Sequence, residues 1–277
     1  MAVFFGISSA FAWGAADFIG GLASKRTSPY RVLYFAELAG LVPFVAAAML
    51  TGEPVPSYAD LIWGAMASLI GLSGLVMLYA ALAAGQMSIA APVSALLAAV
   101  IPVAFGLVTL GIPAPTTFIG FGLAIPAVWL ISQSGTRADW RFHLSSLRLP
   151  LLSGICFGLY FILIHEATLV AFFWPLAAAR LTGFLAFGLY ALLRRQPALP
   201  PRDLWSMCLW NGLLDIAGNA FYVLAARTGR MDVAAVLGAL YPASTVLLAW
   251  ILLKERIALI QTAGILLALT AILLFTL

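Results

Sequence analysis

Apolar residues run along this chain in long blocks, each closed by a short polar connection. Ten blocks approach the roughly 20 residues that a helix needs to cross a bilayer: 2–23, 31–51, 58–84, 88–110, 115–133, 147–170, 172–194, 203–228, 232–253 and 257–276. No long segment alternates apolar with polar residues, so helices rather than a barrel are expected to satisfy the backbone in lipid. The blocks predict an all-α integral membrane protein of ten transmembrane helices. The connections at 85–88 and 111–114 are short enough to join antiparallel neighbours, so helices 3, 4 and 5 are expected to form a tight meander, which helices 8, 9 and 10 repeat.

The pattern occurs twice. At an offset of 144 residues Ala81 lies over Ala225, Gly85 over Gly229, Met87 over Met231 and Gly120 over Gly264. The Ala90-Ala91 pair lies over Ala234-Ala235, and Ala95-Leu96 over Ala239-Leu240. The division read from this is a first repeat over 1–133, a connecting loop over 134–146 and a second repeat over 147–277. Five helices per copy is an odd number, so the second copy crosses the membrane upside down. Inverted repeats of this kind are common in secondary transporters, with the site at the interface of the two copies.

Composition agrees with a membrane protein. The 277 residues are 64% hydrophobic and 9% charged, whereas soluble domains carry about 25% charged residues. The first 22 residues are apolar with no basic start, so they read as a first span rather than a signal peptide. The net charge of +4 does not speak for nucleic acid, because Lys and Arg sit in short loops. Lys25, Arg26, Arg31, Arg137, Arg141, Arg148, Arg194, Arg195, Arg202, Lys254 and Arg256 fall on one side, and Arg227 and Arg230 on the other. The positive-inside rule then puts both termini outside the cytoplasmic membrane. Cys156 and Cys208 lack metal or redox spacing and read as small buried hydrophobes.

The run LYPASTVLLAWILLKERIALIQTAGILLALTAILL at 240–274 carries a Pro-containing helix, a Glu-Arg loop and a Gln-x-x-Gly helix start. It resembles the second repeat of EamA-type members of the drug/metabolite transporter superfamily. FAWGAADF at 11–18 resembles that family's Trp-Gly signature, and Arg180 falls where members often have an intramembrane Arg. The resemblance spans the whole chain. It implies ten helices and transport of small metabolites, usually export and often of amino acids or related compounds. The first copy has Gly111-Ile112 where the second has Glu255-Arg256, and Trp13 and Asp17 lie over Phe157 and Phe161, so the halves are not chemically equivalent.

A charge inside a transmembrane helix needs a partner or a water-filled cavity. Asp17, Glu37, Arg180 and Asp215 are the candidates. Asn211, Asp215 and Asn219 recur every four residues with Tyr222 three beyond, so they share one helix face. That face reads as the lining of a central cavity, with Asp215 a cation or proton site; a stripe of interhelical hydrogen bonds is the alternative. Trp13, Phe157 and Phe161, with Tyr79, Tyr222 and Tyr241, read as an aromatic lining, and Asp17 or Asp215 as a partner for an ammonium. Plain core packing is the alternative for the aromatics. Arg180 is expected to pair with Glu37 or Asp215, or to bind a substrate carboxylate. The prolines at 92, 102, 126, 175 and 242 are expected to interrupt helices, Pro242 in mid-helix. Gly154-x-x-x-Gly158 and Gly71-x-x-Gly74 are expected to let helices pack closely.

No Walker loop, GxGxxG, HExxH or GxSxG occurs. His143 and His165 read as solvated loop residues without metal spacing. Neither a cofactor nor a bound metal is expected. The reading is a secondary transporter working by alternating access. Its expected partners are a small-molecule substrate, first an amino acid and possibly an aromatic one, membrane lipid, and a proton or other coupling ion. A polytopic membrane enzyme, or an importer of a sugar or nucleoside-type metabolite, is the alternative. Oligomeric state is left open.

Overall fold

The computed structural model describes residues 1–83, 87–131, 148–254 and 258–276, with the side chains of 79–83, 87–92, 249 and 253 outside the description. Its helices are α1 (Ala2–Ser24), α2 (Pro29–Thr51), α3 (Tyr58–Ala83), α4 (Met87–Thr109), α5 (Pro115–Ile131), α6 (Arg148–Ala167), α7 (Phe173–Leu193), α8 (Trp205–Thr228), α9 (Met231–Gly238), α10 (Tyr241–Leu253) and α11 (Leu259–Thr276). The starts are set by local chemistry. Pro29 and Pro115 open α2 and α5, where a missing N–H costs nothing. Ser57 accepts from the Asp60 N–H at 3.3 Å and donates to its carboxylate at 2.8 Å, a reciprocal cap at the start of α3.

Among the described residues, seven helical stretches are long and apolar enough to cross a membrane, and 93–109 and 115–131 are shorter apolar helices. The 24-residue α8 is not among the seven. Asn211, Asp215 and Asn219 dilute its apolar content, which marks it as a helix that needs protein around it.

One expectation is corrected where a single helix was read over 232–253. The chain breaks at Ala239–Leu240 into α9 and α10, so Pro242 sits in the first turn of a new helix rather than in mid-helix. Proline has no N–H to donate to Gly238, and its ring would collide with that carbonyl. The turn tightens instead, with Leu240 N–H bonding Leu237 O at 3.1 Å and Ala243 N–H bonding Leu240 O at 2.9 Å. Pro175 likewise lies in the first turn of α7 and does not interrupt it. Pro126 lies inside α5, and so does Pro43 inside α2, which the sequence reading had not singled out.

Packing between halves dominates over the expected meander. α3 packs chiefly on α6 and α7, and only lightly on α4. Gly71 and Gly74 let Tyr160 and Cys156 of α6 approach α3, and Gly154 and Gly158 receive Leu97 and Ile101 of α4. Small residues cut the distance between backbones, which drives helix association in lipid better than chain adjacency does. The scheme is symmetric. α1 packs on α8 as α6 packs on α3, α1 meets α9 and α10 as α6 meets α4, α2 meets α8 as α7 meets α3, and α2–α7 and α5–α11 pair across the middle.

Hydrogen bonds join the connections into two ends. At one end Arg230 reaches the Gly111 carbonyl at 3.0 Å, Arg227 reaches the Leu169 carbonyl at 3.1 Å, and Gly229 lies against Ala2. This groups the α2–α3, α4–α5, α6–α7 and α8–α9 connections with the N-terminus, since Glu53 also bonds the start of α7. At the other end Arg26 pairs with Asp203, and Tyr30 bonds the Pro197 carbonyl at 3.0 Å.

Candidate functional site

An ion network crosses the interior where both halves meet. Arg180 on α7 reaches the Asp215 carboxylate on α8 at 2.6 Å and the Glu37 carboxylate on α2 at 3.3 Å. The sequence left Glu37 and Asp215 as alternatives for Arg180, and the guanidinium holds both. Its planar fork of donors suits two carboxylates at once. Room for the network comes from Gly183, over which the Glu37 carboxyl lies, and from Gly40 beside the Arg180 stem. Arg180 and Glu37 are buried, while a third of the Asp215 side chain is exposed.

Asp17 on α1 faces Asp215 closely enough for their charges to repel. Its side chain keeps accessible surface although α1 packs on α8, α9 and α10. Two carboxylates hold the guanidinium, and Asp17 adds a third on the Asp215 side. Among the described residues no hydrogen bond holds the Asp17 side chain. Outward grooves of about 540 Å³ beside Pro113 and about 460 Å³ between α1 and α8 are walled almost wholly by apolar groups and include none of these residues.

The α8 stripe divides by its partners. The Asn219 amide donates to Asp215 O at 2.7 Å and its oxygen accepts from Tyr160 O–H, which tethers the stripe to α6. Tyr222 is wholly buried and donates to Phe161 O at 2.8 Å. Asn211 is buried against Gly20 and donates to Ala16 O at 2.8 Å. Asn211 and Tyr222 thus pin α8 to α1 and α6 through hydrogen bonds, whereas Asp215 pairs with Arg180 and stays partly exposed.

Of the aromatics, Trp13, Phe161 and Tyr222 meet in one triangle, with ring centroids 5.5, 6.0 and 4.8 Å apart. The Trp13 indole lies over Gly218 and Gly238, where any side chain would collide with it. Phe157 is half-buried and packs toward Gly74 on α3. Tyr241 packs with the separate core around α5 and α9. The Tyr79 side chain lies outside the described residues, as do His143 and the Glu255-Arg256 pair.

The sequence reading did not place Tyr160 in the site. Its signal was present: it sits three residues after Phe157 on one helix face. His165 is corrected. It lies in the last turn of α6 rather than in a solvated loop, because that helix runs on to Ala167, and its Nδ1 is buried without a hydrogen-bond partner. Among the described residues no group of three or more His, Cys, Asp or Glu side chains is arranged to hold a metal.

An all-helical bundle with many apolar spans and a charged interior defines a multi-pass membrane protein. The model of the EamA-like transporter family matches twice, over residues 1–133 and 145–277, and the chain belongs to that family. No curated protein matches it. A solved structure titled "Crystal structure of protein" has the same fold, with a TM-score of 0.80 and 16% identity over 99% of this chain and 95% of that one.

Proposed function

We propose that this member of the EamA-like family is a secondary transporter that carries a small metabolite, first an amino acid, out of the cell by alternating access. Ten spans carry the reading, with α9 and α10 together making the ninth, in two inverted repeats over 1–133 and 147–277 joined by 134–146. The Lys and Arg bias orients both termini outside the cytoplasmic membrane. A transporter family speaks for translocation rather than catalysis.

The observation that carries it is Arg180 held between Glu37 and Asp215, with Asp17 opposite. A zwitterion matches this pattern. Its carboxylate displaces Asp215 at the guanidinium, and its ammonium meets Asp17 and the freed Asp215, so that no charge is left without a partner. Trp13, on the same face of α1 as Asp17, offers a ring to an apolar or aromatic side chain. A proton is the coupling ion that suits an acidic interior.

Counterflow in proteoliposomes tests this. Vesicles loaded with unlabelled amino acids, nucleosides or amines are given tracer outside, with and without a pH gradient. Accumulation with amino acids supports the proposal. Accumulation only with nucleosides or amines removes the amino acid, and none with any compound removes transport of these classes.

A further inference from the structure

At one end of the bundle the second half is fastened to the first by a carboxylate. Glu53, in the connection after α2, accepts from the N–H groups of Phe172 at 2.5 Å, Phe173 at 2.8 Å and Trp174 at 3.0 Å. The Trp174 indole N–H returns a bond to Glu53 O at 2.9 Å. Helix N-termini leave N–H groups unpaired and carry the positive end of the helix dipole. Caps normally come from the residue just before the helix. Here the cap on α7 comes from about 120 residues away, in the other half of the chain.

The repeat offset locates the equivalent link at the opposite end. Glu53 lies over Pro197, and 172–174 lies over 28–30. These equivalents do touch, but differently. Tyr30 O–H and Arg31 Nε each donate to the Pro197 carbonyl at 3.0 Å, on an exposed surface. Pro29 opens α2, so that start has one N–H fewer to cap. One end is therefore closed by a part-buried carboxylate on a helix start, and the other by exposed contacts, the Pro197 carbonyl with Tyr30 and Arg31 and the Arg26–Asp203 pair.

What lies beneath the two links differs too. Under the Glu53 end all eight residues of α9 are buried, as are Tyr222, Val223, Ala225 and Ala226. Arg227 adds a second hold on the α6–α7 turn through Leu169 O. Farther in, Asp17 and Asp215 are open. The interior is sealed from the Glu53 end.

We propose that Glu53 is the gate residue of this protein: its cap on α7 holds the end carrying the α2–α3 and α6–α7 connections shut, and must release for the interior to open there. The alternation of the Proposed function gives the gate its use, but the closure itself is read without any substrate. The Glu53 bonds are charge-assisted and part-buried, whereas the Arg26–Asp203 pair and the Arg31 bond at the other end are exposed and screened by water. The resting protein therefore favours closure at the Glu53 end.

The test is labelling of a buried cysteine. Cys156 and Cys208 are replaced by alanine, and Ala226→Cys is introduced where the Asp215–Asn219–Tyr222 stripe continues toward the gate. Lys25→Cys, exposed at the opposite end, serves as an orientation control. A membrane-impermeant maleimide is applied to oriented vesicles from the Glu53 side. Glu53→Ala is expected to speed labelling at 226 about tenfold, a population shift of the closed state. Glu53→Gln, which keeps the acceptor but loses the charge, is expected to fall between it and the parent. Trp174→Phe removes only the returning bond and reads the same link if the Glu53 variants fail to fold.

Unchanged labelling in the folded variants overturns the gate, whatever they transport. Faster labelling in a protein that transports none of the compounds keeps the gate and defeats the transport reading.

Discussion

Arg180 Nη2 sits 2.6 Å from Asp215 Oδ2, and Nη1 of the same guanidinium sits 3.3 Å from Glu37 Oε1, so one cation ties α7 to α8 and α2. Removing a partner from a buried ion pair costs about 3–5 kcal/mol, because it strands the other charge. Arg180→Gln strands two. It is expected to lower thermal stability in detergent by that order and to weaken amino-acid binding. Arg180→Lys rescues only partly, since an ammonium lacks the fork that holds both carboxylates. A folded Arg180→Gln protein with parental affinity for an amino acid excludes the role given to Arg180 in carboxylate binding.

Asp17→Asn separates binding from folding. Asparagine at 17 carries no charge into the membrane interior and none toward Asp215, so the melting temperature is expected to stay unchanged or rise. Loss of a charge-assisted bond to an ammonium is expected to weaken binding of an amino acid by about tenfold or more. Binding is read by tracer displacement on the purified variant. Equal affinity in parent and variant would assign Asp17 to something other than the ammonium.

The α8 stripe was legible because four polar residues at spacings of four and three cannot all face lipid. Which of them fasten one helix to another was not. That depends on partners on other helices: Ala16 O for Asn211 and Phe161 O for Tyr222. The aromatic triangle was legible in its members, since Trp13 and Phe157 stand at equivalent positions, yet it is Phe161 that meets Trp13. Glu53 reads in the sequence as a loop charge among others. Its target lies in the other half, and no local spacing announces a cap supplied across the fold. Packing between halves was hidden for the same reason, because Gly71 and Gly154 mark close approach without naming the partner.

Tyr222→Phe tests the division within that stripe. The hydroxyl bonds a backbone carbonyl in the core and touches no open space, so its loss is expected to cost about 1 kcal/mol of stability. Affinity and transport rate per folded molecule should stay at parental values. A large drop in affinity with unchanged melting would move Tyr222 from fastening to substrate contact.

Pro242→Ala addresses the break between α9 and α10. Alanine restores an N–H at 242 that can bond Gly238 O, and removes the ring that forbids a continuous helix there. The turn at Ala239–Leu240 packs against α1, where the Tyr241 carbonyl lies close over Gly14. Straightening the ninth span therefore pushes α10 against α1 at a point with no spare volume. The break also separates a fully buried half, α9, from a more exposed half, α10, so it can flex as one half moves against the other. The expected outcome is a slower transport rate with little change in affinity, since the charged site lies elsewhere, together with lower thermal stability from the crowding at Gly14. Pro242→Gly is the control: it removes the ring without favouring a continuous helix, so it does not drive α10 against Gly14 and is expected to stay near the parental rate. An equal loss of rate with glycine and with alanine would assign the effect to the missing proline ring rather than to a straightened span.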